Sequence, residues 1–367
     1  MSAPIQPTGA TAAGAAPRTA APRQPQERRL QERQPQEQAA PDLMAAVVQR
    51  GYGTSEVLHL ARIPRPEISA REVLVRVYAA GLAKGAWHIM TGKPYLLRAV
   101  FGLRSPRQNV LGNNLAGTVV AVGGDVTRFQ VGDEVYGIGR GTFAEYSAAP
   151  EDKLAPKPKS LTFEQAAVAP VSGLTALQAV SDICRVTAGQ KVLVLGAAGG
   201  VGSFAVQIAK AAGAEVAGAC RGSKAGFVRS LGAENVLDYT REDFATGPQR
   251  YDVIISIAGN PTLRRLRRAL TPKGTAVLVG GEEGGVLTGG MIETQIGGRI
   301  LSLFTGQRLI GALCKERAAD LERLTALIDA GQVMPLVDGS FALADVAAAM
   351  QRLESGQVRG SVVLTIR

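Results

Sequence analysis

Residues 191–231 read KVLVLGAAGGVGSFAVQIAKAAGAEVAGACRGSKAGFVRSL, and this stretch decides the fold. The apolar run Val192-Leu193-Val194-Leu195 has the unbroken pattern of a strand buried in a parallel sheet. It breaks into the small-residue turn Gly196-Ala197-Ala198-Gly199-Gly200-Val201-Gly202, and a helical pattern runs on through Lys210. A second apolar strand, Glu215 to Cys220, follows. Strand, glycine turn and helix in that order suit a dinucleotide pyrophosphate. Small residues let the backbone approach the phosphates, and the helix N-terminus offers unpaired N–H groups and a partial positive charge. The spacing from Ala197 is A-x-G-x-x-G, with alanine at the first glycine of the usual fingerprint. A plain structural turn is the competing reading; the flanking strand and helix favour a cofactor site at Gly199, Gly200, Val201 and Gly202.

The tip of the second strand selects the cofactor. An acidic side chain there holds a ribose 2′-hydroxyl. Here the tip reads Cys220-Arg221-Gly222-Ser223-Lys224, with no acid. Arg221 and Lys224 suit a 2′-phosphate, with Ser223 as a hydrogen-bond donor. The expected cofactor is therefore NADP(H), against the bland alternative of a solvated basic turn.

Outward from this unit the chain divides. From about Thr162, helices at Phe163 to Ala167 and Gly173 to Ser181 lead into strands starting at Lys191, Glu215, Asn235, Asp252 and Thr275, the rhythm of a doubly wound parallel sheet. Before it, Met44 to Val48, Val57 to Ala61, Glu72 to Ala79, Val110 to Val122 and Glu134 to Ile138 read as antiparallel strands between Gly- and Pro-rich turns. A helix is expected around Arg317 to Ala330, and the apolar end Ser361 to Ile366 reads as a strand returning to the first domain. The fold class is α/β. Residues 1–41 are rich in Ala, Pro, Gln and Arg and lack the apolar side chains to offset ordering entropy, so a disordered tail is expected.

Lys and Arg number 41 against 31 Asp and Glu in 367 residues, a net charge of +10. An anionic cofactor and the solvated helix LRRLRRAL (Leu263 to Leu270) account for the excess; aromatic residues are few and no recognition module is present, so no nucleic-acid partner is expected. No apolar run approaches the roughly 20 residues of a span, so no membrane partner is expected. The three cysteines, Cys184, Cys220 and Cys314, form no pattern, which points to a reducing, cytoplasmic location.

The motifs VLVRVYAAGLAKGAWH (73–88), VLGNNLAGTVVAVGGDVTRFQVGDEVYG (110–137), SGLTALQAV (172–180), GAAGGVG (196–202), LGAENVLDYT (231–240), LTPKGTAVLVGG (270–281) and RGSVVLTI (359–366) occur in an order that resembles the medium-chain dehydrogenase/reductase superfamily, over essentially Met44 to Arg367. The nearest branch is the zinc-independent, quinone-oxidoreductase-like enzymes. The resemblance implies a GroES-like catalytic domain (42–165), a Rossmann domain (166–310) and a C-terminal segment (311–367) returning to the catalytic domain, with the cofactor in the cleft between and a homodimer as the assembly. It adds Thr175, Tyr239, Gly280 and Phe304 to the cofactor-binding set. It also places the glycine-rich Gly281 to Gly290 stretch over the nicotinamide half.

No metal site is expected. Cys or Glu ligands are absent from Ala79 to Lys84, the G-H-E position reads Gly112-Asn113-Asn114, and the only histidines are His59 and His88. Without a Lewis acid, conjugated acceptors are the accessible substrates, because hydride addition to the β-carbon spreads charge over an enolate that a hydrogen-bond donor can hold. The candidate donors are Tyr95, His88 and Lys84, each with a packing or solvent-facing role as the alternative. The expected function is an NADPH-dependent reductase of a quinone or enone. The relatives' polar residues are missing at Ala83, Ala86, Asn113 and Asn114, which keeps open a catalytically weak NADPH-binding sensor or accessory protein. An alcohol or aldehyde dehydrogenase is the third reading.

Overall fold

The computed structural model describes residues 42–280, 297–298, 305–312 and 314–366. The expected disordered tail, the Gly281 to Gly290 stretch and Phe304 lie outside the described residues. Strands β1 (Leu43–Val48) and β2 (His59–Pro64) form an antiparallel pair in which Leu43 faces Pro64. The main catalytic sheet comprises β3 (Glu72–Leu82), β4 (Asn114–Val122), β5 (Glu134–Ile138), β6 (Tyr146–Pro150) and β7 (Leu154–Pro156). Val73, Val75 and Val77 alternate inward along β3 and are fully shielded, as a strand with one core face requires. Two expected strand bounds shift for local reasons. Ser55–Val57 is a 3-10 turn closed by Leu58 N–H on Ser55 O, so β2 starts at His59. Gly112 has φ +91°, which breaks the apolar Val110 run, so β4 starts at Asn114.

The second sheet is parallel: β8 (Lys191–Leu195), β9 (Glu215–Cys220), β10 (Asn235–Asp238), β11 (Tyr251–Ser256), β12 (Leu270–Leu278) and β13 (Arg308–Gly311), in the order β10-β9-β8-β11-β12-β13. The strand order reverses between β8, which pairs with β9 on one side, and β11 on the other. The topological switch point therefore lies at the carboxyl end of β8, where the glycine turn begins. Helix Gly200–Ala211 follows that turn with Gly202 through Ala209 all buried. It is apolar nearly all round because it lies between the sheet and helix Pro170–Leu177. Phe204 and Ile208 at its centre contribute roughly 1.5–3 kcal/mol each by burial. Helix Pro170–Leu177 begins at the proline, whose missing N–H costs nothing at a helix start, and passes into a π-helical turn at Gln178–Ile183.

The last two strands, β14 (Val337–Ala342) and β15 (Ser361–Thr365), join the catalytic sheet, with β15 antiparallel to β3. Three contacts then fix the two sheets to each other. Gly360 N–H donates to Ala198 O at 2.9 Å, tying the turn before β15 to the glycine loop. The buried Asn114 side chain donates to Gly81 O (3.3 Å) and accepts from Val171 N–H (3.0 Å). The fully buried Tyr136 hydroxyl reaches Leu321 O (3.0 Å) and Thr325 Oγ1 (2.7 Å) on helix Ala318–Asp329, and that burial raises its pKa well above the usual phenol range.

Candidate functional site

Between the sheets lies a cleft of about 370 Å3 whose floor is Gly196, Ala198, Gly199, Gly200 and Val201. Gly196 has φ +85°, and its N–H and that of Ala197 both donate to Ala219 O at 3.1 Å, which folds the loop sharply off β8. Gly199 caps the following helix in an extended conformation with no side-chain cap, so the first N–H groups of that helix have no internal partner. A methyl group at Gly202 would meet Gly196 O at 2.1 Å, so this glycine serves close helix–strand packing and does not line the cleft. Gly200 is different: a Cβ there would lie 2.9 Å from both Ser172 Oγ and Ser361 Oγ. Both serines are more than nine-tenths buried, line the cleft, and make no side-chain hydrogen bond among the described residues. Hydroxyls that open to the cleft beside a bare glycine and the first N–H groups of a helix form a cradle for an anionic group such as a pyrophosphate. The sequence reading missed both serines, since they come from separate elements and each looks like a helix or strand terminus.

At its far end the cleft reaches Cys220, Arg221, Lys224 and Tyr239. Beyond lies a groove of about 400 Å3 lined by Arg221, Ser223, Lys224, Asp338, Arg352 and Arg359, among others. Arg221 is exposed, and the neighbouring Tyr239 hydroxyl raises its already high pKa. The one acid, Asp338, is taken: Arg352 Nη2 lies 2.8 Å from it and Arg359 N–H donates to it at 3.0 Å. Lys224 donates to Gly356 O (2.8 Å) and Val358 O (2.7 Å), which uses two of its three N–H groups to clamp the C-terminal turn. Desolvation there lowers its pKa below the ordinary lysine range. Arg359, whose guanidinium lies 3.5 Å from Ser223 O, is a cation that the sequence reading did not name. Its position 138 residues after Arg221 gave no local signal.

Of the residues expected to do chemistry, only Lys84 lines the cleft; its ammonium lies 4.6 Å from the centre of the Trp87 ring. Trp87 is held by donation to Glu354 Oε1 at 2.7 Å. His88 donates from Nδ1 to Lys93 O at 2.6 Å, which fixes the ring to the turn after its own helix, Lys84–Thr91. Tyr95 is 45% exposed and packs beneath the Arg98 guanidinium at 4.6 Å. Neither His88 nor Tyr95 lines the cleft. Thr175, on helix Pro170–Leu177, donates back to Val171 O at 2.6 Å and lies against the Cys314 thiol. Gly280 packs against Ile257 O, where a Cβ would come within 2.4 Å, so it shapes the cleft through Ile257.

A second cavity of about 290 Å3 opens in the catalytic sheet, lined by Ile89, Gln108, Gly112 and Asn113 among others. The Asn113 side chain is half-buried there and has no hydrogen-bond partner among the described residues. It supplies an amide donor where the sequence reading saw only the loss of a family polar residue.

The residues at the positions of a family zinc site do not fit the metal. Ala83 has no donor atom, and both amide atoms of Asn114 are committed to Gly81 and Val171. Among the described residues no group of three His, Cys, Asp or Glu side chains stands together.

Residues 69–159 match the family model described as alcohol dehydrogenase GroES-like domain, and residues 231–364 match that described as zinc-binding dehydrogenase. A chloroplastic protein of Arabidopsis thaliana named NADPH-dependent alkenal/one oxidoreductase is 34% identical over 88% of this chain and 80% of its own length. The 2-methylene-furan-3-one reductase of Solanum lycopersicum is 32% identical over 88% of this chain and 79% of its own. The quinone oxidoreductase of Coxiella burnetii has a solved structure that superposes with a TM-score of 0.78 at 29% identity, covering 89% of this chain and all of that one. With its GroES-like domain and its parallel nucleotide-binding sheet, the chain belongs to the medium-chain dehydrogenase/reductase superfamily, in the quinone-oxidoreductase-like branch.

Proposed function

We propose that this protein is an NADPH-dependent reductase of conjugated carbonyl compounds, quinones or enones, that works without zinc. The observation that carries the cofactor choice is the groove beside Arg221, lined by Arg221, Lys224 and Arg359. The one lining acid, Asp338, is paired with Arg352 and the Arg359 N–H, and Asp238, behind Gly222, is bonded to Thr240. A 2′-phosphate fits this set, and a ribose hydroxyl has no acceptor reserved for it. The pyrophosphate belongs at the Gly199–Gly200 loop under the Ser172 and Ser361 hydroxyls. Among the relatives, the names alkenal/one oxidoreductase, furanone reductase and quinone oxidoreductase support the substrate class.

The cofactor, when bound, supplies a hydride for the β-carbon of the acceptor. The chain's part is to hold the acceptor, exclude water and stabilise the enolate oxygen. The Asn113 amide is a donor open to that oxygen, in a cavity lined by Ile89, Leu111 and Ile138 and also by Glu72, Arg140, Lys153 and Glu316, whose charges pair with one another. Lys84 adds positive charge at the cleft, and Thr175 anchors the helix that faces it. Tyr95 and His88 take no donor role in this reading, since one packs under Arg98 and the other under Lys93 O.

The three cysteines are free, two of them buried, which supports a reducing compartment such as the cytoplasm. Strand β13 lies at the open edge of the parallel sheet and is the natural seam for a homodimer. Loss of NADPH absorbance with a panel of quinones, enones and simple aldehydes, in the presence of EDTA, tests the reading. Turnover of conjugated acceptors alone supports it. Tight NADPH binding without turnover would replace it by the sensor or accessory role, and activity lost to EDTA and restored by zinc would overturn the metal-free mechanism.

A further inference from the structure

Ten large hydrophobic side chains are exposed among the described residues, and four of them, Tyr95, Leu96, Val100 and Leu103, fall within one nine-residue segment. Val100 and Leu103 are the most exposed of all, at 65% and 76%. The segment is firmly presented. Arg98 lies 4.5 Å over the Tyr52 ring and 4.6 Å over Tyr95, and it donates to Gly92 O at 3.0 Å. Tyr52 in turn donates to Gly102 O, and Arg107 N–H closes the loop on Phe101 O at 2.7 Å. An apolar patch fixed in place and left in water marks a contact surface.

The charge around it says what kind. From Lys84 to Gly124 the chain carries five basic residues, Lys84, Lys93, Arg98, Arg104 and Arg107, and no acidic one. Lys93, Arg104 and Arg107 are exposed beside the apolar side chains. A second copy of this chain would bring like charges together, which opposes pairing through this face. We propose that residues 93–107 dock on an anionic phospholipid bilayer, with Leu96, Val100 and Leu103 entering the headgroup boundary and the three exposed cations meeting lipid phosphates. Such a contact needs no spanning helix, and none of the described helices is long and apolar enough to be one.

The placement has a consequence that rests on the proposed reductase activity. Ile89 and Gln108, on either side of the segment, both line the cavity that holds Asn113. Docking would bring the mouth of that cavity to the layer into which apolar quinones and enones partition.

The test is co-sedimentation of the full chain with vesicles of phosphatidylcholine alone or mixed with phosphatidylglycerol, without any turnover, so it stands apart from the test of activity. The wild type should pellet with the mixed vesicles, remain in solution with phosphatidylcholine, and be released by high salt. Val100→Ser with Leu103→Ser leaves the charge unchanged and should lower partitioning roughly tenfold or more, with NADPH affinity and Tm retained. Equal binding of variant and wild type would assign the attraction to charge elsewhere on this basic chain and overturn the proposal. So would an absence of binding to mixed vesicles. A wild-type oligomer that the variant converts to monomer, with no lipid binding by either, would show that a second copy covers the patch.

Discussion

Ser172 and Ser361 are 189 residues apart in the chain, yet their hydroxyls converge on one point, each 2.9 Å from where a side chain at Gly200 would begin. One belongs to helix Pro170–Leu177 and the other to the first residue of β15. A site built this way reads the part of a dinucleotide common to NADH and NADPH. Ser172→Ala and Ser361→Ala should each weaken both cofactors by about the same factor, roughly tenfold for a hydrogen bond to a charged group. Gly200→Val should abolish binding of either. Fluorescence titration of the two cofactors reads this directly, and an effect on NADPH alone would place the serines at the wrong phosphate.

The opposite pattern is expected at the far end of the cleft. Arg221→Ala and Arg359→Ala each remove one charged donor from the groove proposed to take the 2′-phosphate. Each should raise the Kd for NADPH roughly 10- to 100-fold and leave NADH nearly unchanged. Arg359→Ala is the sharper test because Arg221 also lines the cleft beside Tyr239, so its loss disturbs a second part of the site. Equal losses for both cofactors would remove the phosphate assignment.

Lys224 gives the same groove a pH dependence. Its pKa is lowered by desolvation against Gly356 and Val358, and the nearby Asp338 only partly offsets this. In the proposed site it is the ammonium form that would hold the phosphate, so NADPH affinity should be highest while Lys224 is protonated. It should fall as pH rises through the lowered pKa, below the usual lysine value of about 10.4. The linkage sign follows, since NADPH binding stabilises the proton on Lys224 and deprotonation opposes binding. Lys224→Arg keeps its charge throughout this range and should flatten the profile. An unchanged slope in that variant would assign the titration to another group.

The glycine turn, the basic strand tip and the rhythm of two sheets were legible because they depend on local spacing: an apolar run, a small-residue bend and a basic tip are adjacent in the chain. The chemistry was less legible. Tyr95 and His88 looked useful as residue types, but Arg98 and the Lys93 carbonyl occupy them, and such contacts follow from the path of a loop. Ser361 and Arg359 were invisible because the return of β15 beside β3 is what brings them to the cleft and to the groove beyond it, and Ser172 because it lies within a helix far from both in sequence. Asn113 and Asn114 looked like losses against the family pattern. Folded, one is an unpaired amide in a cavity and the other a bridge between the two sheets.

That bridge makes a last prediction possible. Asn114 is 2% exposed, gives one hydrogen bond to Gly81 O and takes one from Val171 N–H. Asn114→Asp keeps the acceptor, but an ionised carboxylate has no proton for Gly81 O and sets a charge against that carbonyl in a buried place. Burial and the carbonyl should raise the pKa of the new carboxyl above its unfolded value of about 3.9. Its protonated form can restore the donor. The stability deficit relative to wild type should thus be small at acid pH, grow as pH rises from the unfolded pKa, and level off above the folded one at about 1–3 kcal/mol. Asn114→Leu lacks both atoms and should show a deficit at every pH. Thermal melts of the three proteins across pH 4 to 8 distinguish these courses. A pH-independent gap for Asn114→Asp would mean that Gly81 O finds another donor, and that the register of β3 against helix Pro170–Leu177 does not depend on this side chain.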